Sequence, residues 1–195
     1  MKIGIYGGSF NPPHKMHLQM GVQLTKNHDL DKVIYVPTGI KYPKLGLASN
    51  IDRYEMVKRM IEDYPNLEVS DYEFKQELVY TYQTLTCFKE KYPNDEIYFI
   101  LGSDLLKEIS TWRNYPYILE NFKILVTLRN QDTKEELEKL EIPHKENIIY
   151  TNLPLEPISS TKIREAILVN DTKFLKKNLK IEVFEYIIER NLYNE

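Results

Sequence analysis

From residue 2 to residue 18 the chain is Lys2-Ile3-Gly4-Ile5-Tyr6-Gly7-Gly8-Ser9-Phe10-Asn11-Pro12-Pro13-His14-Lys15-Met16-His17-Leu18. The apolar run from Ile3 to Tyr6 predicts a buried strand, and Gly7-Gly8 is expected to end it. The segment Asn11-Pro12-Pro13 can neither continue a strand nor lie inside a helix, because proline lacks the amide donor and fixes φ. A helical pattern of apolar residues then begins near Lys15. We therefore expect a strand, a glycine turn and a helix in succession.

Two histidines, His14 and His17, lie three residues apart where this helix begins. Side chains at positions i and i+3 share one helix face. The N–H groups of the first turn and the positive end of the helix dipole favour an anion such as phosphate there. Two other interpretations stay open on these residues alone. One histidine caps the helix while the other packs, or the pair binds zinc, although no third ligand is evident nearby.

Composition narrows the class of protein. The 195 residues suffice for one well-packed domain, and 26 Lys and Arg against 29 Asp and Glu give a net charge of −3. This mild acidity offers no argument for binding nucleic acid or an anionic membrane. The single cysteine, Cys87, excludes an internal disulfide framework. Without a signal-peptide pattern or an apolar run near the roughly 18 residues of a membrane helix, we expect a soluble cytoplasmic protein.

Runs typical of strands alternate with helical patterns along the chain. The predicted strands are Lys2–Tyr6, Lys32–Val36, Leu67–Val69, Glu96–Leu101, Lys123–Leu128 and Asn147–Tyr150. The predicted helices are Lys15–Lys26, Asn50–Tyr64, Thr81–Lys91, Asp104–Ile109, Tyr115–Glu120 and Lys134–Leu140. This alternation predicts an α/β fold with a doubly wound, mostly parallel sheet. Ligands bind such folds outside the carboxyl ends of the strands, where Gly7-Gly8, Pro37 and Gly102-Ser103 fall.

The last part of the chain is predicted to be helical. Hydroxyl residues that can cap a helix open the segment Ile158-Ser159-Ser160-Thr161-Lys162-Ile163-Arg164, and Glu182–Arg190 carries a core-facing apolar stripe. We therefore expect one domain over residues 1–195, with an α/β core over 1–157 and C-terminal helices over 158–195. The irregular segment Thr38–Ser49 is expected to be a functional loop at the end of a strand.

The glycine turn contains neither GxGxxG nor GxxxxGK[ST], so it is neither a dinucleotide-binding fingerprint nor a P-loop. Residues 7–18 instead resemble the GG[ST]F[DN]PxHxGH segment of the nucleotidyltransferase superfamily that carries paired histidines. Residues 158–164 resemble the second signature of that superfamily, ISSTxIR, and the two segments occur in the family's order. The resemblance implies a Rossmann-like nucleotidyltransferase fold with a helical C-terminal tail.

The middle of the chain is similar to bacterial nicotinate mononucleotide adenylyltransferases. Residues 98–104, followed by Trp112 and Arg129, resemble their YFIxGxD…W…R pattern, and residues 79–85 resemble SYTxDTL. Three features depart from the family pattern. Met16 replaces the glycine between the histidines, Val79 and Gln83 replace serine and aspartate, and the loop has Tyr42-Pro43-Lys44 instead of Pro-Pro-His-Lys.

The resemblance implies transfer of the adenylyl group of ATP to nicotinate mononucleotide, giving deamido-NAD and pyrophosphate in NAD biosynthesis. It makes His14 and His17 the catalytic pair, which donate to phosphate oxygens. The residues implied in ATP binding are Gly7, Gly8, Ser9, Phe10, Gly102, Asp104, Ser160, Thr161 and Arg164. Those implied in binding the mononucleotide are Lys44, Tyr80, Thr81, Trp112 and Arg129. Mg²⁺ is the expected cofactor, held mainly by the ATP phosphates and water, with no protein ligand predicted.

Simpler interpretations and other functions stay open. Trp112 alone would suit a core, and Ser160 and Thr161 would suit a helix cap. The protein could instead use nicotinamide mononucleotide or phosphopantetheine as acceptor, as other adenylyltransferases of the superfamily do. A non-catalytic nucleotide sensor is the alternative from another class, and only the departures at Met16, Val79 and Gln83 favour it. We expect no nucleic-acid or membrane partner, and we leave homo-oligomerisation open.

Overall fold

The structure is a computed structural model that describes residues 1–27, 30–39, 46–129, 132–153 and 158–194. The strands in these ranges are β1 Lys2–Gly8, β2 Lys32–Pro37, β3 Leu67–Val69, β4 Glu96–Gly102, β5 Lys123–Thr127 and β6 Ile148–Thr151. The helices are α1 Lys15–Asn27, α2 Asn50–Ile61, α3 Thr81–Lys91, α4 Ser103–Lys107, α5 Tyr115–Asn121, α6 Lys134–Leu137, α7 Ser160–Leu168, α8 Thr172–Asn178 and α9 Ile181–Glu189. Short 3₁₀ turns cover Tyr72–Lys75, Ile109–Thr111 and Lys145–Asn147.

The six described strands form one sheet in the order β3-β2-β1-β4-β5-β6, and every pair is parallel. The α/β fold and the parallel sheet predicted from the alternation are therefore confirmed. Ile5 of β1 lies in register with Ile34 of β2 on one side and with Phe99 of β4 on the other. The chain winds outward from β1 in one direction and later returns to continue from β4 in the other. The carboxyl ends of β1 and β4 therefore flank the switch point at which such folds bind ligands.

Helices cover both faces of the sheet. Alternate strand residues point to opposite faces, so Tyr6, Tyr35 and Ile100 belong to one buried cluster and Ile5 and Phe99 to another. Helices α1, α2 and α7 to α9 cover the first face, and α3 to α6 cover the second. Burial on both faces explains why the strands carry near-continuous apolar runs. Among the described helices, none has the length and apolar character that crossing a membrane requires.

The structure corrects several predicted element ends. Strand β1 does not stop at Tyr6 but includes Gly7 and Gly8, because both glycines continue the ladder opposite Val36 and Pro37 of β2. The parallel ladder of a neighbour therefore extends a strand past residues of low strand propensity.

The structure also corrects the predicted ends of several helices. Helix α2 ends at Ile61 rather than at Tyr64, and α6 ends at Leu137 rather than at Leu140. The helix predicted over Asp104–Ile109 divides into α4 and the 3₁₀ turn at Ile109–Thr111. The C-terminal part contains α8, which the apolar pattern had not singled out. Helix α8 is capped by Asp171, the residue before its first turn, whose side chain accepts a hydrogen bond from the Phe174 N–H.

Candidate active site

Residues 9–14, called the catalytic turn below, leave the carboxyl end of β1 and lead into α1. Phe10 has φ +45° and is 1% exposed, a rare conformation for a bulky residue. Its ring packs edge-on against Tyr6, with centroids 5.5 Å apart, and against His17 at 5.1 Å. A Cβ at Gly8 would lie 3.1 Å from the Phe10 ring, so glycine allows this inward packing. The turn therefore packs the aromatic ring of Phe10 against the histidine pair.

The two histidines stack on each other at the start of α1. Their ring centroids are 3.7 Å apart and the rings are inclined by 22°. The backbone N–H of His14 donates to Nδ1 of His17 at 3.1 Å, and the hydroxyl of Tyr35 donates to the His17 carbonyl at 2.8 Å. Because Nδ1 of His17 accepts, its neutral ring carries the hydrogen on Nε2. The packing and the backbone thus select the tautomer.

Burial holds His14 in its neutral form. The side chain is 2% exposed, and burial, aided by the charge of Arg129, lowers its pKa from 6.5 to about 3. Its Nδ1 is buried, and the described residues offer it no hydrogen-bond partner. A buried polar atom without a partner is costly unless a ligand or water supplies one. His14 therefore suits a neutral group that hydrogen-bonds a ligand, and it would not serve as an acid near neutral pH.

Replacing His14 with glutamine is expected to make the protein less sensitive to acid. Between pH 6.5 and pH 3 the unfolded state binds a proton that the folded state excludes, so stability is lost as the pH falls through this window. The wild type should lose about 2 kcal/mol more unfolding free energy than His14→Gln between pH 7 and pH 5. Urea unfolding at the two pH values measures this difference, and His144→Gln, at a partly exposed site away from the catalytic turn, should behave like the wild type. Equal losses in the wild type and His14→Gln would contradict the neutral assignment.

The second signature lies directly against the catalytic turn. Ser160 Oγ donates to the carbonyl of Pro12 at 2.9 Å, and Arg164 Nη1 donates to the carbonyl of Asn11 at 2.8 Å. Arg164 Nη2 also donates to Thr161 Oγ1 at 3.3 Å. The cap of α7 is Ser159, whose Oγ accepts from the Lys162 N–H. Two segments separated by more than 140 residues therefore form one surface at the switch point.

Arg129, which follows β5, and Asp104 of α4 form an ion pair in the candidate site. Arg129 Nη1 lies 3.6 Å from Asp104 Oδ1, and the Arg129 N–H donates to Ser103 Oγ at 3.0 Å. A Cβ at Gly102 would collide with the Asp104 carboxylate and lie 2.7 Å from Arg129 Nε, so a side chain there would displace this ion pair. Among the described atoms Arg129 Nε is buried without a hydrogen-bond partner. Arg129 was predicted to contact the mononucleotide, but it lies beside His14 and Asp104, which were predicted to meet ATP.

The predicted mononucleotide side forms a separate group of residues. Thr81 begins α3, and the N–H of Tyr80 donates to Gln83 Oε1 at 3.0 Å, so Gln83 closes the first turn of the helix. The guanidinium of Arg113 lies 4.8 Å from the centre of the Tyr80 ring and donates to its hydroxyl at 3.3 Å. Sequence reasoning had missed Arg113, although it directly follows Trp112.

Trp112 and Lys44 complete the predicted set. The ring of Trp112 is partly buried and packs edge-to-face on Phe99 of β4, with centroids 6.0 Å apart. Phe99 in turn faces Gly7 of β1, where an added Cβ would lie 3.9 Å from its ring. These contacts connect the predicted mononucleotide side to the glycines at the carboxyl end of β1. Lys44, with the rest of the Tyr42-Pro43-Lys44 segment, lies outside the described residues.

A buried arginine that the sequence did not single out as a site residue holds the catalytic turn in place. Arg53 of α2 is 0% exposed and donates to the carbonyls of Ser9, Thr38 and Ala48 at 3.0, 2.6 and 3.1 Å. Its Nη2 also donates to Asn50 Oδ1 at 2.8 Å. Burial lowers the pKa of Arg53, but arginine stays protonated in proteins. Arg53 therefore joins the turn after β1 to the segments that follow β2 and precede α2.

Comparisons with known proteins agree with this geometry. A profile of the cytidylyltransferase-like family matches residues 5–166. The chain is 39% identical to a probable nicotinate-nucleotide adenylyltransferase of Caldicellulosiruptor saccharolyticus and 38% identical to one of Flavobacterium johnsoniae, with 100% of each chain covered in both cases. It superposes with a TM-score of 0.83 on Plasmodium falciparum nicotinic acid mononucleotide adenylyltransferase complexed with NaAD, at 26% identity over 99% of this chain and 97% of that one. The chain therefore belongs to the cytidylyltransferase-like family and, within it, to the nicotinate-nucleotide adenylyltransferases.

Proposed function

We propose that the protein transfers the adenylyl group of ATP to nicotinate mononucleotide, releasing pyrophosphate and forming deamido-NAD. The observation that carries this proposal is the stacked pair of His14 and His17 at the start of α1. The catalytic turn before this pair accepts hydrogen bonds from Ser160 and Arg164 of α7 at its Pro12 and Asn11 carbonyls. Relatives with 34–39% identity that carry this activity in their names support it.

The chemistry requires positioning more than proton transfer. The attacking oxygen belongs to a phosphate monoester, which is already largely ionised at neutral pH because its second pKa is about 6. The obstacle is to bring two anions together in line and to stabilise the charge that moves onto pyrophosphate. Neutral imidazoles that donate hydrogen bonds to the α- and β-phosphate oxygens supply this stabilisation. The depressed pKa of His14 fits such a donor, since the ring takes up no proton near pH 7 and stays neutral.

Mg²⁺ fits the site as a partner of the nucleotide. The described residues contain no group of three or more His, Cys, Asp or Glu that could hold a metal ion. The ion would therefore be held by the ATP phosphates and by water, as Mg²⁺ commonly is in sites for phosphorylated substrates. When bound, it would neutralise phosphate charge. Asp104 is the carboxylate of the site that could hydrogen-bond one of its waters.

Pyrophosphate release from ATP in the presence of nicotinate mononucleotide tests the proposed function. Nicotinamide mononucleotide serves as the matched acceptor, because it differs only in carrying an amide in place of the carboxylate. A site whose donors suit a carboxylate should strongly prefer the acid. Equal rates with both acceptors would favour a different transferase of the superfamily. Binding of ATP without pyrophosphate release would favour a nucleotide sensor.

Replacing Trp112 with alanine is expected to raise the KM for the mononucleotide about tenfold or more, because the loss of a stacked aromatic face costs roughly 1–3 kcal/mol. The KM for ATP should stay unchanged within about twofold, since the ring packs on Phe99 on the sheet face covered by α3 to α6. Steady-state kinetics with each substrate varied in turn measures the two constants. Trp112→Phe, which keeps a flat ring, should recover most of the loss, and an unchanged KM for the mononucleotide in Trp112→Ala would remove the stacking role.

A further inference from the structure

The polar groups of Asn11 are satisfied by residues from distant parts of the chain. Asn11 is 1% exposed, its Nδ2 donates to the Gly46 carbonyl at 2.8 Å, and its Oδ1 accepts from the Ala48 N–H at 2.9 Å. The same Oδ1 accepts a second hydrogen bond, at 2.8 Å, from the hydroxyl of Tyr193. The Asn11 side chain therefore joins the catalytic turn to the segment before α2 and to the C-terminal turn after α9.

The C-terminal turn that carries Tyr193 is itself fixed on α2. Tyr186 and Arg190 of this tail donate to Asp52 Oδ1 at 2.9 and 3.2 Å. Leu192 packs against the buried cluster on that face of the sheet. Burial raises the pKa of Tyr193 well above its usual range, so its hydroxyl remains a donor at any physiological pH. The tail therefore holds the neutral Tyr193 hydroxyl in a fixed position, where it donates to Asn11 of the catalytic turn.

The catalytic turn is held by contacts from other elements, among them Arg53, Ser160, Arg164 and Tyr193, and not by a ladder or helix of its own. Two of its residues, Pro12 and Pro13, lack an N–H, and the turn belongs to no strand or helix. The turn places His14 directly, because α1 begins only at Lys15. It acts on His17 of α1 through the His14 N–H and the stacked His14 ring. A displacement of about 1 Å in a reacting group can cost about a hundredfold in rate.

We propose that Tyr193 is a positioning residue, which orients the Asn11 amide through its hydroxyl and thereby sets the catalytic turn for adenylyl transfer. This inference rests on the proposed function. Tyr193 hydrogen-bonds Asn11 and is not among the residues implied in ATP binding, so it would act on the transition state through the placement of the histidines and leave the binding of ATP largely unaffected.

The experiment compares Tyr193→Phe with Tyr186→Phe. Both variants remove one hydroxyl from the same tail, but only the first removes a hydrogen bond to the catalytic turn. Tyr193→Phe should lower kcat about tenfold with the KM for ATP within about twofold of the wild type, the effect of one well-placed hydrogen bond. Tyr186→Phe should lower the Tm about as much as Tyr193→Phe does, but it should leave kcat within about twofold of the wild type. Equal kcat in the two variants, or a fall in Tm alone, would overturn the proposal.

Two further measurements keep the test independent of stability and of activity. In an Asn11→Ala background, the addition of Tyr193→Phe should change kcat less than about twofold, because both substitutions break the same connection. Independent effects that multiply would count against the proposal. Hydrogen exchange of the Ala48 N–H, the other donor to Asn11 Oδ1, should be faster in Tyr193→Phe and unchanged in Tyr186→Phe. This readout judges the role of Tyr193 even if the wild type releases no pyrophosphate, an outcome that would refute only the proposed function.

Discussion

His17→Ala should lower kcat by about 10²–10³-fold, while the Kd for ATP rises less than about fivefold, because loss of a preorganised donor to developing charge costs most in the transition state. His17 accepts the His14 N–H at Nδ1, which leaves Nε2–H as the donor toward the phosphates. Pyrophosphate release measures kcat, and titration with ATP measures Kd.

Two controls distinguish this role from a structural one. His17→Asn keeps a side-chain acceptor close to the position of Nδ1 but lacks Nε2–H, so it should fold well and remain as inactive as His17→Ala. His144→Ala changes a partly exposed histidine at the start of the Lys145–Asn147 turn and should match the wild type. If His17→Ala weakened ATP binding as much as it lowered kcat, the ring would contribute to ground-state binding instead.

Arg53→Met should reduce the unfolding free energy by about 3–5 kcal/mol, because it leaves three backbone carbonyls without their donor and each buried unsatisfied group costs about 1–3 kcal/mol. The carbonyls belong to Ser9, Thr38 and Ala48, and the guanidinium that serves them is 0% exposed. Urea unfolding monitored by circular dichroism measures the change.

Arg59→Met is the matched control, since it makes the same substitution two turns along α2. Arg59 lies over the ring of Tyr186 at 4.7 Å, and losing this cation–π contact should cost about 1 kcal/mol or less. Arg53→Lys, which keeps the charge but cannot reach all three carbonyls, should fall between the two. A loss below about 1 kcal/mol in Arg53→Met would show that the loops satisfy their carbonyls without Arg53.

Much of the fold could be predicted because its signals are local. The apolar run at Ile3–Tyr6 and the helical pattern after Lys15 depend on residues close in sequence, and both elements lie where they were expected. The ends of the elements depend on neighbours. Gly7 and Gly8 continue β1 because β2 offers them a ladder, and no local propensity records that partner.

The candidate site could likewise be predicted where its residues belong to motifs, but not where they depend on contacts between distant segments. The motifs placed His14, His17, Ser160 and Arg164 in one family pattern, and the structure brings these residues together. Arg53 and Tyr193 were not predicted as site residues, because their roles depend on contacts rather than on spacing in the sequence. Tyr193 and Asn11 are 182 positions apart, and no pattern near either residue predicts their hydrogen bond.

The alternation of strands and helices and the paired histidines at a helix start followed from residue order alone, because hydrophobic period and helix-start signals are properties of short segments. The protonation state of His14 did not follow from it, since the pKa of an imidazole depends on how completely folding removes water around it and which charges, here Arg129, are packed nearby. The same holds for the shape of the catalytic turn. Its hydrogen-bond partners come from α2, α7 and the C-terminal turn, which only the packing of those elements onto one face of the sheet brings to it.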